Sequence, residues 1–395
     1  MTRRRIAVFT GNRAEYGLQF PILRAIAADP RLEYFLIAGG AHTNQDFGKT
    51  LAEIEADGFR VYRQLEMDLD KDALFTTAQA IGSGILSLSK ILDELRPDFL
   101  VVYGDRFESF SAAITGTQMN VPTAHIEGGD YTEGGALDDS VRHAMTKLSH
   151  LHFTTNEHAA ERVRRLGEEP WRVFNVGFPA LDLVAAGMFA TPEELAADLN
   201  LDLNRPVILF CQHSVTTEFD QADKQVIPAL EALARASAKG YQSIVTYPNS
   251  DAGGRRIIDE ILKLEARKLP GIRVVKSLGR HRFHGVLNVI GRVGRGAFAG
   301  NSSAGIKETP VFGCPSINIG ARQQGRLRAD NVLDVGYDAD AIAAAIERSV
   351  GDEAFRERCR TCTNPYGAGN AGPRIAEVLA TIPAGLPLLQ KRMTY

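Results

Sequence analysis

The sequence predicts an α/β protein built from two consecutive halves, each an open parallel sheet. Short apolar runs alternate with amphipathic helical patterns from end to end. That alternation breaks once, at the helical, polar stretch "FPALDLVAAGMFATPEELAADLNLDLNRP". At 395 residues the chain is also too long for one ordinary core and suits two domains.

In the first half, "IAVFTG" leads into a helix from about Ala14 to Ala28, and "EYFLIAGG" into a second helix. "FLVVYGD" precedes "RFESFSAAITGTQM", "VPTAHIEGG" precedes "DSVRHAMTKLS", and "HLHFTTN" precedes "EHAAERVRRLG". Strands buried on both faces and separated by helices mean right-handed βαβ units in a parallel sheet. After the break a second series runs "VILFCQH", "YQSIVTYPNS", "IRVVKSL", "GAFAGNSS" and "PSINIG". The expected division is residues 1–188, 189–375 and a tail, 376–395, whose helix is expected to cross back to the first domain. Two such halves imply an interdomain cleft, with ligands at the carboxyl ends of the strands.

Composition excludes several classes. The chain is 44% hydrophobic and 24% charged with a formal net charge of −3, so neither nucleic acid nor an anionic membrane is an expected partner. The start, "MTRRRIAVFTG", reads as a first strand, not a signal peptide, and no apolar run approaches a membrane span. Four cysteines (Cys211, Cys314, Cys359 and Cys362) suit a reducing cytoplasm. "CRTC" is a lone pair without a partner pair and reads as chance spacing.

The chemistry is expected just after the strands. In the first half those residues are "TGNRAEYG", "YGDRFES" and "HIEGGDYTEGGALDDS"; in the second, "CQHS", "YPNSDAGGRR", "LGRHRF", "GNSSAG" and "GARQQGR". In "AFAGNSSAGIKE", Ser302 and Ser303 stand where an N-cap belongs and the first-turn amides suit a phosphate, with Arg322 as an added fork. An ordinary serine cap with Glu308 solvated is the plain alternative. Asp105 could cap the next helix, Arg106 could be surface, and His213 could be a satisfied buried histidine. Arg13 is a cation at a helix N-terminus, misplaced unless an anion visits. The acidic run from His125 to His143 is open to three readings, a solvated loop, an acid/base site, or a metal cage on His125, Glu127 and His143, the last disfavoured because no closed ligand set is present.

Together, "GNRAEYG", "YGDRFE", "HIEGG…DDSVRHAMTKLSHLHF", "PNSDAG", "GNSSAGIKE", "INIGARQQGR" and "NPYGAGNA" resemble the UDP-N-acetylglucosamine 2-epimerase family, in order and over nearly the whole chain. "HIEGG" and "DDSVRHAMTKLSHLH" resemble its hydrolysing branch; the other branch carries "HVEAGLR". The resemblance implies two Rossmann-like domains in the GT-B arrangement, a UDP-sugar substrate, no cofactor or metal, and a homodimer or homotetramer. It implies UDP loss, then hydration of the glycal with inversion at C2, giving free N-acetylmannosamine or a related sugar for nonulosonic acid synthesis. Carboxylates suit the oxocarbenium-like centre, and positive charge or amides suit the leaving diphosphate.

By the same resemblance Asp105, Glu127 and Asp138 are catalytic, with His213 beside the diphosphate. Arg13, Arg106, Asn249, Asp251, Ser302, Ser303, Gly305, Glu308 and Arg322 match substrate or nucleotide contacts, Glu308 on the ribose. Arg282 and Phe283 fall in the base segment "SLGRHRFHG". Sialic-acid members read "HIEGGEVSGTIDDS"; here Asp130 replaces Glu and the Tyr131–Ala136 segment is longer. That difference opens two alternatives, UDP-2,4-diacetamido-2,4,6-trideoxyglucose and a GDP-linked sugar. A glycosyltransferase and a silent sensor are the remaining rivals.

Overall fold

Along Arg4–Thr10, Ile6 and Val8 enter one apolar cluster while Ala7 and Phe9 enter another. This alternation makes the run a strand buried on both faces, β1. The computed structural model describes residues 3–43, 50–67, 74–131, 137–249 and 253–395. They form two units: the described residues up to Tyr131 with Leu137–Leu183 and Gly367–Tyr395, and then Val184–Tyr366.

The first unit continues with β2 (Leu32–Ala38), β3 (Val61–Gln64), β4 (Phe99–Tyr103), β5 (Thr123–Ile126), β6 (Leu151–Thr154) and β7 (Val173–Asn175). They pair in the order β3-β2-β1-β4-β5-β6-β7, all parallel. The second unit holds β8 (Val207–Cys211), β9 (Gln242–Thr246), β10 (Ile272–Val275), β11 (Gly296–Gly300), β12 (Ser316–Ile319) and β13 (Val332–Val335). Their order is β10-β9-β8-β11-β12-β13, again all parallel. The two parallel sheets with interspersed helices are the α/β architecture that the alternation predicts. In each, the strand order reverses beside the first strand, at β1/β4 and at β8/β11, where a doubly wound sheet opens a crevice at the strand ends.

Three strands escape the sequence reading: β3, β7 and β13. All are at or near sheet edges, and "VYRQ" and "VLDV" keep polar residues on a partly exposed ladder. A strand that is not buried on both faces carries no continuous apolar run. Among the described residues no helix is long and apolar enough to cross a membrane.

The helix Ala371–Thr381 belongs to the first unit. Its Ile375, Ala376 and Leu379 join the cluster of Ile6, Val8 and the helix Arg13–Ala28. Gly372 lies so near Pro21 that a Cβ would come within 2.6 Å of its carbonyl oxygen. The start of this helix is anchored by one carboxylate. Asp182 accepts from the backbone amides of Asn370, Ala371 and Gly372 at 2.6, 2.8 and 2.7 Å. Anchoring by an anion satisfies orphan donors and complements the helix dipole. Asp182→Ala is expected to cost about 2 kcal/mol, seen as a fall in Tm of several degrees, with Asp182→Asn intermediate.

Candidate functional site

In the first unit the strand-end residues are organised by a side chain that the sequence reading passed over. Arg142 lies in the helix Leu137–Leu148, with its side chain only 4% exposed. Its fork pairs with Asp105, just past β4, and with Asp139 at 2.5 Å, and donates to the Asp130 carbonyl at 3.0 Å. A guanidinium suits this work because its donors lie in one rigid plane. Asp105 is therefore bound to Arg142, and the cap of the next helix falls on Arg106 without a side-chain bond. Asp138 occupies the same first turn as Asp139 and is exposed.

Glu127 follows β5 with φ at +67°, a left-handed backbone unusual for a residue with a Cβ. Its amide donates to Phe153 O at 2.8 Å, continuing the ladder before the turn. Gly129 follows at φ +73°, where a Cβ would stand 2.3 Å from Ala159 O. The "EGG" run is thus a sharp corner that turns Glu127 out of the sheet. Burial, reinforced by the Glu127 carboxylate, holds the Tyr103 phenol well above its usual range. His125 serves the fold instead: it is buried, with Nε2 2.7 Å from Gly104 O and Nδ1 3.3 Å from Thr146 Oγ1. Among the described residues no group of three or more His, Cys, Asp or Glu is arranged to hold a metal.

Beneath the end of β1 lies a buried acid pair. Glu15 accepts from Gln19 Nε2 at 2.8 Å, Ser109 Oγ at 3.2 Å and the Gly11 amide at 3.3 Å. Burial, and next the Glu108 carboxylate, push Glu15 up to about 8, so it is largely protonated at neutral pH. Burial also raises Glu108, against the pull of Arg106 at 3.4 Å. Arg13, at the start of its helix, has its own anion in Glu53 at 2.6 Å.

In the second unit, Asn301 ties two strand ends together. Its Oδ1 accepts from the His213 amide at 2.6 Å and its Nδ2 donates to His213 O at 2.8 Å. His213 Nδ1 accepts from the Asn249 amide at 3.0 Å, which assigns the remaining proton to Nε2. Burial, with Arg322 adding to it, lowers His213 to about 3, so the ring is a neutral donor. Arg322 and Gln323 both donate to Asn301 O, at 3.2 and 2.9 Å.

The serine turn differs from the expectation of open amides. Only Ala304–Lys307 is helical, and Ser303 takes the cap position without a side-chain bond. The amides of Gly305, Ile306 and Lys307 already donate to Ser302 O or Ser303 O, because a turn this short closes on itself. Gly305 is needed for packing, since a Cβ would stand 2.6 Å from the Phe298 ring. Glu308 is not solvated: His284 Nε2 holds its Oε2 at 2.6 Å. Phe283 packs edge-on against Phe298, and Arg282 Nε donates to Leu278 O at 3.2 Å. Asp251 lies outside the described residues.

The structure thus brings Asp105, Asp139 and Arg142 together, and separately His213, Asn249, Asn301 and Arg322. Arg142, Asn301, His284, Glu15 and Glu108 are the additions. Arg142 left a trace in sequence, three residues from Asp139 on a helix, a spacing that pairs side chains, and the other four stand inside the quoted segments without a feature that singles them out.

Residues 24–380 match the family model described as UDP-N-acetylglucosamine 2-epimerase. A Legionella pneumophila protein named UDP-N,N'-diacetylbacillosamine 2-epimerase (hydrolyzing) is 32% identical over 99% of this chain and 100% of its own. A Campylobacter jejuni protein named GDP/UDP-N,N'-diacetylbacillosamine 2-epimerase (hydrolyzing) is 33% identical over 85% of each. In fold, the chain is similar to the crystal structure of UDP-GlcNAc 2-epimerase from Neisseria meningitidis bound to UDP-GlcNAc. The TM-score is 0.79 at 19% identity, covering 95% of this chain and 99% of that one.

The acid pair generates a pH prediction. Glu15 has a raised pKa in the folded state, so its contribution to stability is full below about 4.5 and is lost as pH rises through about 8. The contribution of this group should fall from pH 5 to pH 8.5, by at most about 1.4 kcal/mol per pH unit, against the opposite trend below pH 6.5 from buried histidines such as His125 and His213. Glu15→Gln, a neutral isostere, should flatten that slope when Tm is followed against pH.

Proposed function

The chain belongs to the hydrolysing branch of the UDP-N-acetylglucosamine 2-epimerase family, and from that premise we propose that it converts UDP-2,4-diacetamido-2,4,6-trideoxyglucose and water to UDP and the free 2-epimeric sugar. The name of the Legionella relative, aligned over the whole of both chains, supports this sugar and the uridine nucleotide. Such a product suits the synthesis of nonulosonic acids of the legionaminic type.

The observation that carries the reading is the pair of carboxylates that leave adjoining strands, Asp105 after β4 and Glu127 after β5, with Arg142 binding both Asp105 and Asp139, the neighbour of Asp138 in the first turn of its helix. The C2 proton of a sugar is not acidic until C1 becomes cationic. The C1–O bond therefore breaks first and the diphosphate keeps the electron pair. A carboxylate then takes the C2 proton and the C1=C2 double bond forms. Water adds its oxygen to C1, while a proton returns to C2 on the opposite face, which inverts that centre. Removal on one face and return on the other require two groups, and these carboxylates supply them.

Within the second unit the leaving diphosphate is assigned to His213 and Arg322, with Ser302, Ser303 and Gly305 in the turn beside it. The neutral Nε2–H of His213 is a fixed donor for such an oxygen. Glu308 is assigned to the ribose and Arg282 and Phe283 to the base, with Asn249 and Asp251 completing the contacts.

Incubation of the protein with UDP-2,4-diacetamido-2,4,6-trideoxyglucose, and in parallel with UDP-GlcNAc, in deuterated water tests the reading. The expected result is free sugar deuterated at C2 plus UDP, with the diacetamido substrate turned over faster. Protium kept at C2 would rule out the elimination route, a UDP-linked product would rule out hydrolysis, and preference for UDP-GlcNAc would reassign the sugar. Glu127→Gln should lower kcat by about a hundredfold or more while leaving Tm unchanged, if Glu127 moves a proton.

A further inference from the structure

The helix Leu137–Leu148 carries Asp138, Asp139 and Arg142 toward its start, and its other end is held by the end of the chain. An α-helix leaves its last carbonyls without helical partners. Here the carbonyls of Thr146, Lys147 and Ser149 receive the ammonium of Lys391, at 3.4, 2.7 and 2.6 Å. The Leu148 carbonyl accepts from Thr117 Oγ1 at 2.9 Å. A cation at this position also meets the negative end of the helix dipole.

Lys391 is itself fixed. Its Nζ lies 2.7 Å from Glu168 Oε2, and Glu168 also binds Lys147 at 2.6 Å and His152 at 2.9 Å. The backbone before it is threaded on Arg172, whose side chain is fully buried. Arg172 donates to the carbonyls of Pro387, Leu388 and Gln390 at 3.0, 2.6 and 3.1 Å, and to His150 O at 3.2 Å. Burial pulls Lys391 down to about 8 against the opposing pull of Glu168, so it keeps its charge at neutral pH.

Sideways, the helix packs through Val141, Met145 and Leu148. Apolar contacts of that kind resist separation but are non-directional, so they do little to stop sliding along the helix axis. Its axial position depends on directional bonds at the two ends: Arg142 with Asp105 and Asp130 O toward one, Lys391 and Thr117 at the other.

We propose that the C-terminal segment around Lys391 is a positioning strap for the helix that carries Asp138 and Asp139, so that Lys391 acts on the reaction through that helix. The inference rests on the function proposed above for these carboxylates, but the strap has a physical readout of its own.

The test compares full-length wild type with Lys391→Met and Lys391→Arg. It measures kcat and KM for UDP release, Tm, and amide hydrogen exchange over residues 137–149. Lys391→Met is expected to lower kcat by about tenfold, as a misplacement of the carboxylates by a fraction of an ångström would, with KM within about twofold. Exchange in the helix should quicken. Lys391→Arg, which keeps the charge and its donors, should recover most of both. A Lys391→Met protein that loses Tm but keeps kcat within about twofold overturns the proposal, as does unchanged exchange in the helix. If the wild type releases no UDP from any sugar tried, exchange alone decides: faster exchange over the helix upholds the strap, and wild-type exchange there overturns it.

Discussion

Parallel strand pairing is the constraint on which the chemistry of both units depends. A parallel strand must be left and re-entered through a crossover, so all strand carboxyl ends of a sheet lie on one side. Every pairing in both sheets is parallel among the described residues. Residues far apart in sequence, such as Asp105 and Glu127, therefore emerge from neighbouring strands β4 and β5 on the same side. Arg13 follows β1 and Asp105 follows β4, and His213 and Ser302 follow β8 and β11, at the two points where the strand order reverses. The same rule makes the central strands largely apolar, because helices cover both faces.

Upon that frame, three candidate functional groups are each held by a second group. Arg142 holds Asp105, Asn301 holds the His213 backbone while the Asn249 amide sets its tautomer, and His284 holds Glu308. A carboxylate or imidazole with one side occupied presents the other in a defined direction, which is what a reaction needing attack on one face and return on the other demands. The left-handed backbone of Glu127 serves the same end, since a residue in the extended conformation would continue β5 into the sheet. Glu15 and Glu108 hold no such exposed place; they lie buried under the β1 end, where burial raises both against the donors around Glu15 and the Arg106 guanidinium beside Glu108.

The amino-acid sequence by itself determined the α/β class and the central strands β1, β4, β5, β8 and β11, because runs such as "FLVVYG" and "VILFC" can be stable only when buried on both faces, and its strand-end motifs carried the resemblance to the family. It also named Asp105, Glu127 and His213 as candidates, since a polar residue directly after such a run must leave the sheet at its carboxyl end, and Asp138 and Glu308 through the resemblance of their motifs to the family. It did not reveal β3, β7 or β13, whose polar residues are tolerated where one side of a strand meets solvent. Only the tertiary structure decided the partners: Arg142 for Asp105, His284 for Glu308, Asp182 for the start of the helix Ala371–Thr381, and Lys391 for the end of the helix Leu137–Leu148. Hydrogen bonds and ion pairs of that kind join segments whose separation along the chain has no period, and only the packing of helices on parallel sheets brings them within reach.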